Sequence, residues 1–410
     1  MKIRSAFAVV LACASLAAAA GPGRWVVTWG ASPAPQLPAD QMREARLLFT
    51  GQTLREIVHT SLGSSAVRVR LSNAYGKQPV EIGAAHIALR TRGSEIAPAS
   101  DRVLTFSGRK AVSIPPDALV LSDPVKLDVP ASGDLAVSLY LPKPAVGAGI
   151  HYGATQTSYI GKGDLTGAAA IPEAETITSW VFLTAVDVLA PESAATVVAF
   201  GDSITDGSRS TLDANRRWPN ILSDRLQARR GGRKLGVLDA GIGGNRILHD
   251  ASSTARFGVS GLARFDRDVL AQPGVKYVIV LEGINDLGHA GSSAPESETV
   301  SAEDLIAGLK QLIERAHEKG IRIFGGVLTP FEGTASKGYF TPEKEAKRKA
   351  LNEWIRNSHA FDGVIDFEQA VRDPKNPNRM LPLYDSGDHL HPGDAGYQAM
   401  GEAVDLSLFK

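Results

Sequence analysis

Two polar segments of the chain could together perform nucleophilic catalysis. Ser203 follows Gly201-Asp202, which come directly after the apolar run 197–200. Asp388-His389-Leu390-His391-Pro392 lies near the C-terminus. A serine hydroxyl is a weak nucleophile until a histidine takes its proton, and that histidine needs an acid to fix its tautomer. Ser203 could instead be only a helix N-cap. A cap does not account for the distant Asp/His segment, so we favour the catalytic interpretation.

Two further segments could supply donors for the oxyanion that acyl transfer produces. They are Gly241-Ile242-Gly243-Gly244-Asn245 and Gly283-Ile284-Asn285-Asp286, and each follows an apolar run. Small-residue loops offer backbone amides and an asparagine offers a side-chain amide, which are suitable donors. The first segment begins like a dinucleotide fingerprint, but its sixth position is Arg246 rather than glycine. We therefore expect no nucleotide there.

Neighbouring titratable residues allow other interpretations. His389 beside His391 suggests a metal pair, but further ligands at suitable spacing and an H-E-x-x-H pattern are both absent from the sequence. We therefore expect no metal and no other cofactor. Acids next to such loops usually hold backbone amides in place, and we expect this structural role for Asp202, Asp206 and Asp286.

The second half of the chain must position these residues, and its pattern predicts a parallel sheet. Apolar strands alternate with helical segments, and the clearest helix opens at Ser301 and stops near Gly320. The candidate strands are 197–200, 235–240, 277–281, 323–328 and 364–367. Parallel sheets of this kind bind ligands at the carboxyl ends of their strands. The serine, the glycines and the asparagine should therefore converge at one edge.

The first half has a different pattern. Residues 67–71 and 135–141 alternate with period two, and turn-forming segments separate such runs, which predicts an antiparallel β-sandwich. The small, proline-bearing segment 190–195 marks a boundary, so we assign 21–190 to a β-sandwich accessory domain and 191–410 to the catalytic domain. Three tryptophans and residues 151–159 could line a sugar platform, although burial in the sandwich is the more common role. These tryptophans are Trp25, Trp29 and Trp180.

Composition and charge narrow the function classes. Of 410 residues, 43% are hydrophobic, and 44 Lys and Arg balance 44 Asp and Glu, so we expect a globular protein that does not bind nucleic acid. Lys2 and Arg4 precede an apolar stretch that ends in small residues, the pattern of a signal peptide over 1–20. Since no later stretch has the roughly 20 apolar residues of a membrane span, we expect a secreted or periplasmic protein.

The single cysteine, Cys13, lies inside the predicted signal peptide. If it is lost on cleavage, the mature chain has no disulfide, no cysteine nucleophile and no thiolate ligand. A lipid-anchored Cys13 is the alternative.

Four segments in this order resemble the blocks of the SGNH, or GDSL-type, hydrolase family. Gly201-Asp202-Ser203-Ile204 is similar to block one, and Gly244 falls on the glycine of block two. Gly283-Ile284-Asn285-Asp286 and Asp388-His389-Leu390-His391-Pro392 match blocks three and four. The resemblance covers about 196–410 and implies a flavodoxin-like α/β domain. Asp239 is a departure, because asparagine would be expected ahead of the block-two glycines.

The resemblance implies roles for individual residues. Ser203 would be the nucleophile, His391 the general base and then acid, and Asp388 its orienting partner. The oxyanion hole would consist of the backbone amides of Ser203 and Gly244 and the side chain of Asn285. Thr205 stands where the G-x-S-x-G elbow of α/β-hydrolases needs glycine, which excludes that elbow.

The N-terminal β region and the segments around Gly244 and His391 also look similar to a secreted subgroup of xylan-associated arylesterases or acylhydrolases. This implies a serine esterase for acetyl esters on xylan or another polysaccharide, with an acetylated carbohydrate as its substrate. A lipolytic or aryl-ester hydrolase for short to medium acyl chains is the nearest alternative. A polysaccharide-binding protein with an inactive hydrolase domain is the alternative from another class.

Overall fold

A computed structural model describes residues 23–410. The predicted signal peptide over 1–20, including Cys13, lies outside the described residues. Within 23–410, no helix combines the length and the apolar character needed to cross a membrane.

The first half consists mainly of short antiparallel strands. They are β1 (Gly23–Gly30), β2 (Leu48–Phe49), β3 (Gln52–His59), β4 (Ser64–Ser72), β5 (Val80–Ile82), β6 (Ala84–Leu89), β7 (Arg102–Val103), β8 (Val112–Ile114), β9 (Leu119–Leu121), β10 (Val125–Val129), β11 (Asp134–Leu141), β12 (Ala145–Val146), β13 (His151–Tyr152), β14 (Ser158–Lys162), β15 (Glu175–Ile177), β16 (Ser179–Trp180) and β17 (Leu183–Pro191). One short helix, α1 (Ala39–Glu44), was not predicted from the sequence.

These strands form two main sheets. One has the order β1-β17-β4-β10, with β9 also paired to β4, and the other has the order β15-β14-β3-β11-β6-β7. The inward side chains of both sheets share one apolar core that includes Leu54, Val69, Val137 and Val186. Since alternate residues of a strand face opposite sides, the period-two pattern buries one face of each sheet. The predicted antiparallel β-sandwich is confirmed.

The second half alternates strands and helices. Its strands are β18 (Ala195–Gly201), β19 (Leu235–Gly241), β20 (Val275–Leu281), β21 (Arg322–Gly326), β22 (Val364–Ile365), β23 (Arg372–Asp373) and β24 (Asn376–Met380). Its helices are α2 (Ser203–Asp206), α3 (Trp218–Ala228), α4 (Gly261–Phe265), α5 (Ile284–His289), α6 (Ala302–Glu318), α7 (Pro342–Asn357), α8 (Phe367–Val371) and α9 (Asp394–Ala403).

Five of these strands form one parallel sheet in the order β19-β18-β20-β21-β22. Every residue of β18 is buried, as expected for a central strand with helices on both faces. The order is the flavodoxin-like 2-1-3-4-5 arrangement. The predicted α/β fold with a parallel sheet is therefore confirmed.

The helix predicted to open at Ser301 shows how local sequence sets an element. Ser301 caps α6 by accepting from the backbone of Asp304, and the Asp304 carboxylate accepts from the Ser301 backbone in return. Leu305, Leu309 and Leu312 lie on the buried face. This reciprocal capping box satisfies two backbone donors at the helix start.

The two halves are in direct contact. β1 pairs with β17 in the sandwich and also packs against β19 of the parallel sheet. The backbone N–H of Val27 donates to Thr196 Oγ1 at 3.0 Å, and that of Val237 donates to Ser61 Oγ at 2.8 Å. The first strand therefore belongs to the sandwich and at the same time braces the edge of the hydrolase sheet.

Candidate active site

The candidate active site lies at the carboxyl ends of three parallel strands. Gly201, at the end of β18, pairs in register with Gly241 of β19 on one side and with Leu281 of β20 on the other. The segments that follow leave the sheet at the same level. Ser203 starts α2, and Asn285 lies in the first turn of α5.

Ser203 is held at the start of a four-residue helix. Asp202 caps this helix, because its Oδ1 accepts from the backbone N–H of Ile204 at 2.9 Å. A side chain at Gly241 would bring its Cβ to 2.3 Å from the backbone nitrogen of Asp206, so glycine is required for the β19 loop to approach α2. The turn therefore presents Ser203 beside residues 241–245, the glycine loop that follows β19.

The structure brings Ser203, His391 and Asp388 together. Nε2 of His391 lies 2.8 Å from Ser203 Oγ, and Nδ1 of His391 lies 2.8 Å from Asp388 Oδ2. Because a carboxylate only accepts, Nδ1 carries the proton and Nε2 can accept from the serine hydroxyl. This arrangement can take a proton from Ser203 and return it to a leaving group.

Asp388 is kept ionised by its surroundings. Its Oδ1 accepts from the backbone N–H groups of Leu390 and His391, and Arg209 Nε lies 3.1 Å from its Oδ2. Burial raises the pKa of Asp388, but the hydrogen bonds from the His391 ring and backbone, the charge of His391 and the Leu390 amide together outweigh burial and hold it well below its usual range. An ionised Asp388 fixes the orientation of the His391 ring at neutral pH.

The side-chain amide of Asn285 is oriented by two buried partners. Its Nδ2 donates to the carbonyl of Asn245 at 2.9 Å, and its Oδ1 accepts from the hydroxyl of Tyr339 at 2.7 Å. Burial, reinforced by nearby carboxylates, raises the pKa of Tyr339 well above its usual value, so this hydroxyl stays a donor. Since an amide nitrogen carries two N–H groups, one remains for a ligand oxygen.

Gly244 sits beneath the ring of Phe257. It has a positive φ of +76°, and a Cβ there would lie 2.2 Å from Phe257 Cδ1, so any other residue would be strained and would displace the ring. Asn245 donates to the carbonyls of Phe257 at 2.7 Å and Val259 at 2.8 Å. The glycine loop and the segment around Phe257 are thus tied together beside the site.

Buried acids and one arginine form the base of the site. Arg264 donates to the carbonyls of Gly201 and Ala240, each at 2.8 Å, which ties the ends of β18 and β19. Burial raises the pKa of Asp202 to about 7, and burial together with the neighbouring Asp202 raises that of Glu282 well above its usual value. These groups form a fixed support beneath Ser203.

Two of the three acids predicted to be structural do hold backbone amides. Besides Asp202, Asp286 accepts from the backbone N–H groups of Ile247 at 2.8 Å and Leu248 at 3.0 Å. Asp206 differs from the prediction, because its Oδ1 lies 2.9 Å from His151 Nε2, a side chain of the first half. No sequence pattern pointed to this contact.

Residues 388–391 lie in a loop, and α9 begins only at Asp394. His389 is bonded to a different acid, with Nδ1 2.5 Å from Asp385 Oδ2, and its side chain is half exposed. Among residues 23–410, no three His, Cys, Asp or Glu side chains are grouped as a metal site requires.

The aromatic residues suggested as a sugar platform are mostly internal. Trp29, Trp180, His151 and Tyr152 are all buried, and the rings of Trp29 and Trp180 pack edge to face with centroids 4.8 Å apart. They contribute to the sandwich core and to the contact between the halves.

The sequence did not point to two supporting residues. Arg209 contacts Asp388, and Tyr339 contacts Asn285, each from a distant position in the chain.

A parallel-sheet domain with a serine, a histidine and an aspartate in hydrogen-bonded series defines a serine-type hydrolase. Residues 199–399 match the GDSL-like Lipase/Acylhydrolase family. This part of the chain is a GDSL-like lipase/acylhydrolase domain, and the protein is a carboxylic ester hydrolase.

Several solved structures resemble about half of this chain. The native aryl esterase of M. smegmatis shares 15% identity, with 51% of this chain and 96% of that chain covered and a TM-score of 0.41. The carbohydrate acetylesterase Est24 of Sinorhizobium meliloti shares 18% identity, with 51% and 95% covered and a TM-score of 0.38. A G-D-S-L family protein of Desulfitobacterium hafniense DCB-2 shares 24% identity, with 51% and 97% covered and a TM-score of 0.38.

No curated protein matches the sequence significantly.

Proposed function

We propose that the protein hydrolyses carboxylic esters through an acyl-enzyme on Ser203. Ser203 Oγ attacks the ester carbonyl carbon while its proton moves to His391 Nε2. The tetrahedral intermediate then expels the alcohol, which takes the proton from His391. A water molecule gives a proton to His391 and attacks the acyl carbon, and the acid leaves as Ser203 regains its proton.

The oxyanion formed in each half-reaction needs donors already in place. We assign this role to the backbone N–H groups of Ser203 and Gly244 and to the side-chain amide of Asn285. The close packing of the Gly241 loop on α2, and the hydrogen bond from Asn285 to Asn245, support this assignment. Tyr339 holds the Asn285 amide so that its nitrogen, rather than its oxygen, faces the loop.

The observation that carries this proposal is the unbroken series Ser203 Oγ, His391 Nε2, His391 Nδ1 and Asp388 Oδ2, with 2.8 Å at both contacts. An inactive descendant that only binds polysaccharide would have no need of this geometry. We therefore place the protein among active esterases.

For the substrate, we propose acetyl esters on xylan or a similar polysaccharide, met outside the cytoplasm after export. The sequence resemblance and the pattern of the first 20 residues support this choice. The rim near the triad also supports it, because Arg209 and His389 are exposed polar side chains bonded to acids of the same loop. Such groups suit a hydrated sugar alcohol better than a lipid tail.

A second candidate is an aryl or short-chain lipolytic ester. Leu212 and Leu383 are large apolar side chains that are 50% and 71% exposed. They lie on the two segments that also carry Arg209 and the Asp388 loop. An apolar acyl or aryl group could contact them.

Acetate release from acetylated xylan by the mature protein distinguishes these candidates, with the Ser203→Ala protein as the blank. Release by the wild type that disappears in the variant is the expected result. If acetylated xylan yields no acetate, while nitrophenyl esters are cleaved with rates that rise beyond butyrate, the second candidate is correct. If Ser203→Ala retains the wild-type rate, the nucleophile assignment is wrong.

A further inference from the structure

A second His–Asp pair, which unlike the first is buried, lies at the other end of the helix α2 that begins with Ser203. His151 belongs to the short strand β13 of the first half and pairs with Trp180 of β16. Only 4% of its surface is exposed. Its Nε2 lies 2.9 Å from Asp206 Oδ1, and its Nδ1 lies 3.0 Å from the backbone carbonyl of Ser32.

The partners of His151 determine its protonation. A carboxylate oxygen and a backbone carbonyl both only accept, so each ring nitrogen must donate a hydrogen. A neutral imidazole has only one N–H. With Asp206 as a carboxylate, the two contacts therefore call for an imidazolium, which places a positive charge between the two halves of the molecule.

The charged groups around His151 come from several elements. Asp206 lies on α2, Asp239 on β19 and Arg217 just before α3, and they line a small cavity of about 30 Å³ together with His151. The Trp180 ring lies against the imidazole, with centroids 5.5 Å apart. Burial lowers the pKa of His151, but the charge and hydrogen bond of Asp206, the Ser32 carbonyl and the charge of Asp239 together outweigh burial and raise it above its usual value.

Asp206 connects this cation to the catalytic residues. It ends α2, the four-residue helix that starts with Ser203, and its backbone N–H donates to the Asp202 carbonyl at 2.9 Å. A Cβ added at Gly243 would lie 3.9 Å from Asp206 Oδ2 and 4.0 Å from Ser203 Cβ. Asp206 thus lies between His151 and the loop that supplies the proposed oxyanion donor.

We propose that His151 is a positioning residue for Ser203. As an imidazolium it holds the Asp206 carboxylate, which fixes α2 and the facing glycine loop in the reactive arrangement. The β-sandwich is then part of the catalytic apparatus and not a separate accessory module. This inference rests on the proposed role of Ser203 as nucleophile.

A role in stability alone accounts poorly for this pair. Burying two charges costs much of what their attraction provides, and apolar residues of similar volume often stabilise such a site equally well. A fixed charge next to a nucleophile helix has a different use, because small displacements of reacting groups lower rates strongly.

The test compares His151→Gln, Asp206→Asn and the double variant with a matched control. The control is His86→Gln, because the His86–Asp101 pair has a similar 2.9 Å contact but lies wholly within the sandwich. Hydrolysis of nitrophenyl acetate gives kcat and KM, and the rate of inactivation by a fluorophosphonate reports the reactivity of Ser203. Thermal unfolding of each variant shows whether it is folded.

We expect kcat to fall about 10- to 100-fold in both single variants, with KM within about threefold of wild type. Fluorophosphonate inactivation should slow by the same factor. The kcat of the double variant should be no lower than that of the less active single variant. His86→Gln should keep the wild-type kcat. Folded variants with kcat within about twofold of wild type would overturn the proposal. So would losses in the double variant that equal the product of the single ones.

If the variants do not fold, ¹⁵N NMR of ring-labelled wild-type protein decides the matter. Both ring nitrogens of His151 should be protonated at neutral pH, and a neutral ring would overturn the proposal. Ser203→Ala separates the nucleophilic role of Ser203 from the positioning role of His151. If Ser203→Ala is inactive while His151→Gln is fully active, only the positioning role fails.

Discussion

Two His–Asp pairs flank the helix α2, and they differ in what the second ring nitrogen contacts. In His391–Asp388 that nitrogen faces the hydroxyl of Ser203, which can both give and receive a proton. In His151–Asp206 it faces the carbonyl of Ser32, which can only accept. The same two residue types therefore serve proton transfer at one end of the helix and provide a fixed charge at the other.

The pairs also differ in surroundings. His391 and Asp388 are partly exposed in a loop, with 16% and 23% of their side chains accessible, whereas His151 and Asp206 are each 5% accessible. Access to solvent suits a group that must exchange protons with substrate and water. Burial suits a charge that must not change during the reaction.

The largest effect that separates the pairs is expected for His391→Ala. Loss of the base should reduce kcat on the order of 10⁴- to 10⁶-fold, as in other serine triads, because the serine hydroxyl can no longer be deprotonated. Steady-state hydrolysis of nitrophenyl acetate measures it, with His86→Gln as the control for a histidine remote from the site. A loss as small as that of His151→Gln would remove the distinction between the two pairs.

The next largest loss of kcat is expected at Asn285, which belongs to neither His–Asp pair. Asn285→Ala should lower kcat by about 10²-fold or more, because one preformed donor to the oxyanion is removed. Asn73→Ala is the matched control, since Asn73 is also buried and its Nδ2 donates to the carbonyls of Gln78 and Ile114 within the sandwich. The control should lose stability but keep its kcat. Equal kcat in both variants would contradict the oxyanion role.

The pH dependence of stability sharpens the comparison among buried histidines. Burial lowers the pKa of His289 to about 4, whereas that of His151 is raised. Between about pH 6.5 and 4, unfolded His289 binds a proton that the folded form does not, so this site loses up to about 3 kcal/mol of stability as pH falls. The contribution of His151 is fully present below about pH 6.5 and is lost as pH rises through its raised folded pKa.

Urea unfolding of the wild type, His289→Asn and His151→Gln at several pH values measures both trends. The stability gap between the wild type and His289→Asn should change on acidification, and the gap to His151→Gln should change on alkalinisation. Curves that run parallel to the wild type at all pH values would refute the assigned protonation states.

The smallest effect is expected at Arg209. Its side chain is 63% exposed, and its ion pair with Asp388 is screened by solvent. Arg209→Gln should lower kcat/KM by less than about fivefold, and the difference should shrink in high salt. A loss near that of Asn285→Ala would show that Arg209 itself contacts the reacting groups.

The loop pair could be predicted from the sequence and the interdomain pair could not. Asp388 and His391 are three residues apart in a recognisable block, and Ser203 follows a strand whose apolar run is plain in the sequence. Parallel strands end at one edge, so their convergence follows from the alternation of strands and helices alone. The sheet, the sandwich and α6 follow from similar local patterns.

Contacts between the halves depend on three-dimensional packing that local patterns do not contain. His151 and Asp206 are 55 positions apart, and Tyr339 and Asn285 are 54 apart. His151 stood out only within an aromatic stretch, where a sugar platform and burial both fitted the residue types. Its true position required the docking of β1 and β13 on the hydrolase domain.

The role of Ser203 as nucleophile is tested most directly by mass spectrometry of the protein after reaction with a fluorophosphonate. We expect one covalent adduct, located on Ser203, with loss of esterase activity in proportion to labelling. Ser203→Ala should carry no adduct, and His391→Ala should label far more slowly than the wild type. An adduct on another residue that tracks activity, or full activity in unlabelled Ser203→Ala, would contradict the role of Ser203 as nucleophile.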